Sequence, residues 1–127
     1  MIPKFRMWNK ITSKMHSVDG LYFDSEEVQY KDEVDVLRFI KFGNTILMQS
    51  TGLKDKNGKE IFEGDIVDYK GRKAVVKWHG SYASFIYRFV DELNERVSEW
   101  HPLFLAYYHF EIVGNIYENP ELLEVEE

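Results

Sequence analysis

The chain has 127 residues, with 16 Lys and Arg against 22 Asp and Glu, 44% hydrophobic residues and no cysteine. This length fits one domain, residues 1–127, and is long enough to bury a core without disulfides or a structural metal. The absence of cysteine excludes a disulfide framework and is compatible with the reducing cytoplasm. A net charge of −6 disfavours non-specific binding to phosphate backbones, and no apolar run approaches the roughly 20 residues of a membrane-spanning helix. We therefore expect a cytoplasmic protein with no membrane partner.

The first half of the chain predicts β-strands, because short segments rich in aromatic and β-branched residues alternate with turn residues. Its candidate strands are Phe5 to Trp8, Leu21 to Phe23, Val28 to Tyr30, Val34 to Phe39 and Ile46 to Gln49. In the fourth, Val34 and Val36 share a parity that Leu37 and Phe39 do not. This change predicts either a bulge or burial on both faces near residue 36.

A β-hairpin is predicted between residues 72 and 89. In its first strand Val76 and Trp78 fall on one face, which predicts that Trp78 is part of the core, while Lys73 and Lys77 fall on the solvent face. Its second strand runs from Ser84 to Phe89, and the turn contains His79-Gly80-Ser81.

Two glycine positions predict special backbone geometry. Asn57-Gly58 is typical of a tight hairpin turn, in which Asp55 can accept hydrogen bonds from neighbouring amides. Gly64 stands just before a predicted strand and is expected in a conformation closed to residues with a Cβ. The segment from Gly52 to Glu60 lacks the spacing of a phosphate-binding loop and the ligands of a calcium loop.

The C-terminal third combines one strand with two helical segments. The segment from Phe110 to Tyr117 alternates, and Gly114 within it suggests a bulge or a close backbone approach. Residues 90–100 have apolar residues at helical spacing and predict an amphipathic helix that Pro102 ends. Asn119 and Pro120 predict an N-cap and the first position of one helical turn, whose Leu122 or Leu123 would dock on the sheet.

Residue patterns typical of enzymes are weak in this chain. The histidines 16, 79, 101 and 109 lack the spacing of a zinc site on a helix, and Ser81 and Ser84 lack a glycine elbow. The carboxylates of Glu60, Glu63 and Asp65 form the densest acidic group, but a turn before a strand explains Asp65 more simply. We therefore expect neither an enzyme nor a cofactor.

Basic residues near the predicted hairpin form a candidate binding surface. They are Lys70, Arg72, Lys73, Lys77 and Arg88. Together with Tyr82 and Tyr87 they keep nucleic-acid binding open as an alternative, although the negative net charge requires the cations to project from one face.

The segment Met48-Gln49-Ser50-Thr51-Gly52-Leu53-Lys54-Asp55-Lys56-Asn57-Gly58-Lys59-Glu60-Ile61-Phe62-Glu63-Gly64-Asp65-Ile66-Val67 resembles the central signature of the YopX family of phage and prophage proteins. The residues from Lys4 to Lys10 and from Phe110 to Leu123 are similar to the family's two ends. The resemblance implies a small cytoplasmic protein of a phage or prophage, made inside the bacterial host, and carries no known catalytic residues.

Together these features predict a mainly β, single compact domain with a curved antiparallel sheet or an SH3-like small barrel and one or two short helices. The predicted function is a non-enzymatic protein-binding module or adaptor. Its partner would be a host protein, a phage protein or a second copy of the chain, with nucleic acid as the second choice.

Overall fold

The structure, a computed structural model, describes residues 4–93 and 99–124. The predicted mainly β class with antiparallel sheets is confirmed. Backbone contacts divide the chain into two compact units, Met1–Gln49 and Ser50–Glu127, and the single domain over 1–127 stays a prediction. Among the described residues no helix has both the length and the apolar character needed to cross a membrane.

The first unit is built from short strands and the beginning of a longer one. Their bounds are β1 Phe5–Asn9, β2 Lys14–Ser17, β3 Gly20–Tyr22, β4 Glu27–Lys31 and β5 Leu37–Lys41, followed by a 3₁₀ helix Phe42–Asn44 and β6 Thr45–Lys54. Strands β3, β4 and β5 form a three-stranded antiparallel sheet in that order. The first half of β6 pairs with β1, which also pairs with β2.

The second unit is built around a curled antiparallel sheet with the strand order β11-β10-β9-β8-β12. Its strands are β7 Glu60–Phe62, β8 Asp65–Tyr69, β9 Arg72–His79, β10 Ser84–Phe89, β11 His101–Pro102 and β12 Glu111–Asn115. Short 3₁₀ helices accompany them, at Val90–Glu92, Leu103–Leu105, Tyr107–His109 and Pro120–Leu123. The second half of β6 pairs with β7.

Each unit has its own apolar core. In the first, Met7, Val28 and Ile40 are buried together from β1, β4 and β5. In the second, the cluster consists of the buried residues Ile61, Val67, Ala74, Val76, Leu103 and Phe110. Because Val75 is buried as well as its neighbours Ala74 and Val76, β9 is covered on both faces.

The carboxylate of Asp55 joins the turn after β6 to β12. Its Oδ1 accepts the N–H groups of Asn57 and Lys59 at 2.9 and 2.8 Å, and its Oδ2 accepts the N–H of Ile112 at 3.0 Å. Burial alone raises the pKa of Asp55, but these three backbone donors outweigh it and hold the pKa below its usual value. The predicted role of Asp55 is confirmed, whereas in the Asn57-Gly58 turn only Gly58 has a positive φ, of 82°.

The predicted bulge at Gly114 is confirmed, and the group that lies close to this glycine is the side chain of Asn119. The β8–β12 register skips Val113, which is a bulge, and a Cβ on Gly114 would lie 2.5 Å from Oδ1 of Asn119. That oxygen accepts the N–H of Asn115 at 3.1 Å. The side chain of Asn119 therefore stabilises the end of β12 and makes no capping hydrogen bond to the following helix, so the predicted N-cap is wrong. The helix begins at Pro120, as expected.

Two further sequence predictions, near residue 36 and over residues 90–100, differ from the structure. The parity change near residue 36 reflects neither a bulge nor two-sided burial, because Val34 lies in the turn before β5 and is 75% exposed. Of the span of the predicted helix 90–100, the described residues contain a 3₁₀ turn at Val90–Glu92, and residues 99 and 100 lie outside any helix. Residues 94–98 lie outside the described part of the chain.

Replacing Gly64 with alanine is expected to destabilise the protein. Gly64 has φ of 88°, is buried, and bonds through its N–H to Val76 and through its C=O to Ile116. A Cβ in the left-handed region costs about 1–2 kcal/mol, which equilibrium urea unfolding would resolve. Gly43→Ala is the matched control, because a Cβ added there would have no heavy atom within 4 Å and no positive φ is involved. Equal stability of the Gly64 variant and the wild type would contradict this interpretation.

Asp55→Ala is expected to lower the free energy of unfolding more than Asp55→Asn does, because alanine leaves three backbone N–H groups without their acceptor. These hydrogen bonds are only partly buried, so we expect a total loss of about 1–3 kcal/mol. Since the pKa of Asp55 is lowered in the folded state, its carboxylate stabilises the fold above the unfolded pKa of about 4. That contribution is lost as the pH falls through the folded pKa. The stability difference between the wild type and Asp55→Asn should therefore narrow below about pH 4, and a difference that stays constant from pH 7 to pH 3 would refute the argument.

Candidate functional site

Three of the five basic candidates share one face of the sheet. Lys73 and Lys77 alternate with the core residues of β9, and Arg88 on β10 pairs with Val75 between them. The strand register therefore assembles Lys73, Lys77 and Arg88 from two strands, as a binding surface requires.

These three side chains are less accessible than the sequence predicted. Lys73, Lys77 and Arg88 are all only partly exposed, and Nε of Arg88 is buried with no hydrogen-bond partner among the described residues. Burial lowers the pKa of Lys77, and the nearby charge of Arg88 lowers it further. Lys77 and Arg88 therefore place two like charges on this face, both partly removed from solvent, and the face is not an open basic surface.

The other two basic candidates lie elsewhere. Arg72 falls on the opposite face of β9, where its guanidinium lies 3.6 Å from the ring centroid of Phe89 and bonds Asp91 at 3.0 and 3.1 Å and Glu92 at 2.9 Å. These carboxylates raise the pKa of Arg72 and balance its charge. Lys70 is exposed in the β8–β9 turn, with Nζ 5.3 Å from the ring centroid of Tyr69.

Trp78 is not a core residue, contrary to the prediction from alternation. Its side chain is 45% exposed and packs edge-on against Phe85, the residue directly opposite on β10, at a centroid distance of 5.0 Å. The reason lies in the strand register: β8 pairs with β9 only from Arg72 to Val75, so β9 continues past the end of its neighbour. Trp78 therefore has a sheet strand on one side only.

Three further rings surround the turn of the same hairpin. His79, Tyr82 and Trp100 form a triangle with centroid distances of 4.8, 4.9 and 4.8 Å, and Tyr82 is 64% exposed. His79 follows Trp78 in an extended strand and faces the other side of the sheet. We call Trp78, His79, Tyr82, Phe85 and Trp100 the aromatic tip.

The aromatic tip is the feature that sequence reasoning missed. Period-two alternation assigns a residue to a face, but it does not say where the neighbouring strand stops. The available signal was the concentration of aromatic residues on both sides of the predicted turn His79-Gly80-Ser81.

The acidic candidates show a structural arrangement. Asp65 is 2% exposed and its Oδ2 accepts the N–H of Phe62 at 2.7 Å, which closes the turn between β7 and β8. Within residues 4–93 and 99–124 no group of three or more His, Asp or Glu side chains is placed to hold a metal ion.

Comparison with known proteins gives one family and a similar structure. The family model described as "YopX protein" matches residues 4–124. Among solved structures, the crystal structure of protein EF1440 from Enterococcus faecalis is 31% identical, with a TM-score of 0.62, and the match covers 98% of this chain and 99% of that chain. The comparison with curated proteins found no match. The resemblance inferred from residues 48–67 is confirmed.

Lys77→Met is expected to raise the melting temperature, because it removes a half-buried charge next to Arg88 while keeping the length of the side chain. The pKa of Lys77 is lowered in the folded state, so the charged side chain destabilises the fold. This destabilisation is full below the folded pKa and disappears above the unfolded pKa of about 10.4. The difference in melting temperature between Lys77→Met and the wild type should therefore become smaller as the pH approaches 10. Lys73→Met, on the same face, is the control; a lower melting temperature for Lys77→Met alone would show that the charge is stabilising.

Proposed function

The chain belongs to the YopX family, and we propose that it is a non-enzymatic protein-binding module that contacts its partner through the aromatic tip. The partner is a host or phage protein with an apolar pocket, met in the cytoplasm of a bacterium that carries the phage or prophage. The observation that supports this proposal most directly is the exposure of Trp78 and Tyr82 at the end of one hairpin.

The composition of the tip supports binding to a protein. Tryptophan and tyrosine are the residues most enriched among those that dominate interface energies, and they bury a large area with few rotatable bonds. A hairpin end that presents both is suited to insertion into a pocket of the partner.

The tip is also organised before binding. Phe85 supports the ring of Trp78, and His79 and Trp100 support the ring of Tyr82. Side chains that are already packed lose less conformational freedom when a complex forms, so more of the burial energy remains as affinity.

The placement of the cations gives less support to the nucleic-acid alternative. Phosphate binding needs accessible positive charge. Lys77 and Arg88 are partly buried, and Arg72 is balanced by Asp91 and Glu92.

The test compares the wild type with the double variant Trp78→Ala, Tyr82→Ala as immobilised full-length chains. Each is used to capture proteins from a nuclease-treated lysate of the infected host, and any recovered protein is then purified and its affinity measured by calorimetry. We expect the wild type to bind one purified partner directly and the double variant to bind it at least ten-fold more weakly, equivalent to about 1.4 kcal/mol.

The matched control is Phe23→Ala, because Phe23 is an aromatic residue 74% exposed and lies in the first unit. Equal affinity of the double variant and the wild type would refute the role of the tip. Salt-sensitive, micromolar binding of mixed-sequence DNA or RNA that Lys70→Glu with Lys73→Glu abolishes would support the nucleic-acid alternative instead.

A further inference from the structure

Strand β5 is an exposed edge with an apolar face. It is the last strand of the β3-β4-β5 sheet. Leu37 and Phe39, which point to the same side of it, are 48% and 53% exposed, and the ring of Tyr22 lies 6.0 Å from that of Phe39. An apolar edge of this kind is a template for pairing with another strand.

The hydrogen-bond alternation identifies which backbone groups of β5 are directed outward. Flanking the β4–β5 ladder, Asp32 N–H bonds Val36 C=O at 3.0 Å and Phe42 N–H bonds Glu26 C=O at 2.8 Å. In an antiparallel ladder bonded pairs alternate with non-bonded pairs, so the bonded pairs between them are Tyr30 with Arg38 and Val28 with Ile40. The N–H and C=O groups of Leu37, Phe39 and Lys41 therefore point away from β4.

We propose that this edge pairs antiparallel with β5 of a second copy of the chain, with Phe39 opposite Phe39 on the two-fold axis. This register places Leu37 opposite Lys41 of the other copy on each side of the axis. All three outward-directed residues of both strands then take part, which gives about six inter-chain hydrogen bonds. Registers shifted by two residues leave one outward residue of each strand outside the pairing.

The charges of β5 fit a second copy. Lysine and arginine on an edge strand commonly prevent pairing. Here Arg38 bonds Asp32 at 2.9 Å and Lys41 lies 3.9 Å from Glu27, so both cations are balanced within their own chain. In the two-fold register Arg38 faces Ile40 and Lys41 faces Leu37, and no like charges are directly opposed.

The side chains of the apolar face add to the pairing. Phe39 of one copy meets Phe39 of the other at the two-fold axis, and each is flanked by its own Tyr22. Such a four-ring group buries the apolar area that the single chain leaves exposed and contributes cross-strand aromatic contacts. The inferred dimer uses the first unit and is independent of the aromatic tip.

The first test is sedimentation equilibrium of the full chain from low micromolar to near-millimolar concentration. We expect a monomer–dimer equilibrium for the wild type and a monomer for Phe39→Lys, which places two lysines opposite each other. Phe23→Lys, an exposed aromatic outside β5, is the control and should dimerise like the wild type. Circular dichroism confirms that each variant is folded. A wild type that stays monomeric throughout, or a folded Phe39→Lys that dimerises like it, would overturn the proposal.

The second test reads the register through disulfides, which is straightforward because the chain has no cysteine. Phe39→Cys should form a disulfide dimer under mild oxidation, since directly bonded pairs have Cα atoms about 5.5 Å apart. In Leu37→Cys the two cysteines would be offset by four residues, or about 13 Å, and should not be linked. Equal rates of cross-linking for the two variants would rule out this register.

Discussion

The attachment of β12 through the carboxylate of Asp55 is the constraint on which the second unit depends. Because Asp55 holds the N–H of Ile112, and the neighbouring Lys56 N–H bonds the C=O of Phe110, the beginning of β12 is fixed to the β6–β7 turn. Phe110 is thereby held in the core, where its ring lies 4.9 Å from that of Tyr87 on β10. One buried carboxylate thus determines the position of an aromatic residue that supports the sheet, and the cost of burying it is offset by three backbone donors.

Alternation predicted the strands of the second unit well where the ladder with a neighbouring strand runs the full length of the strand. The predicted second strand of the hairpin has the observed bounds of β10, Ser84–Phe89, because its ladder with β9 runs its full length. Prediction failed for Trp78 and for Val34, where the pattern extends past the neighbouring strand or into a turn. A period of two records which side a residue faces, whereas burial also needs a covering layer on that side. The sequence contains no direct signal for the extent of that layer.

The basic stretch illustrates the same limit for function. Lys70, Arg72, Lys73 and Lys77 are close in sequence, but a strand sends successive residues to opposite faces, and Arg72 is thereby directed to Asp91 and Glu92. The sequence could predict this division from parity. It could not predict the partial burial of Lys77, because that depends on packing over the face and not on the strand itself. The candidate site accordingly consists of the residues of the aromatic tip and not of the cations.

The division of contacts into two units has a consequence for how the chain folds as it is synthesised. Every described strand of Met1–Gln49, including the part of β6 in this segment, has a partner strand inside the segment. Those pairings can therefore form while the rest of the chain is still being synthesised. By contrast, β8 pairs with β9 on one edge, but its second edge is covered only by β12, which follows more than forty residues later in the chain. Until then the growing chain exposes one unpaired edge of β8, a strand that includes the apolar residues Ile66 and Val67. The time needed to synthesise the segment between β8 and β12 should therefore determine how long this edge can take part in aggregation of the nascent protein.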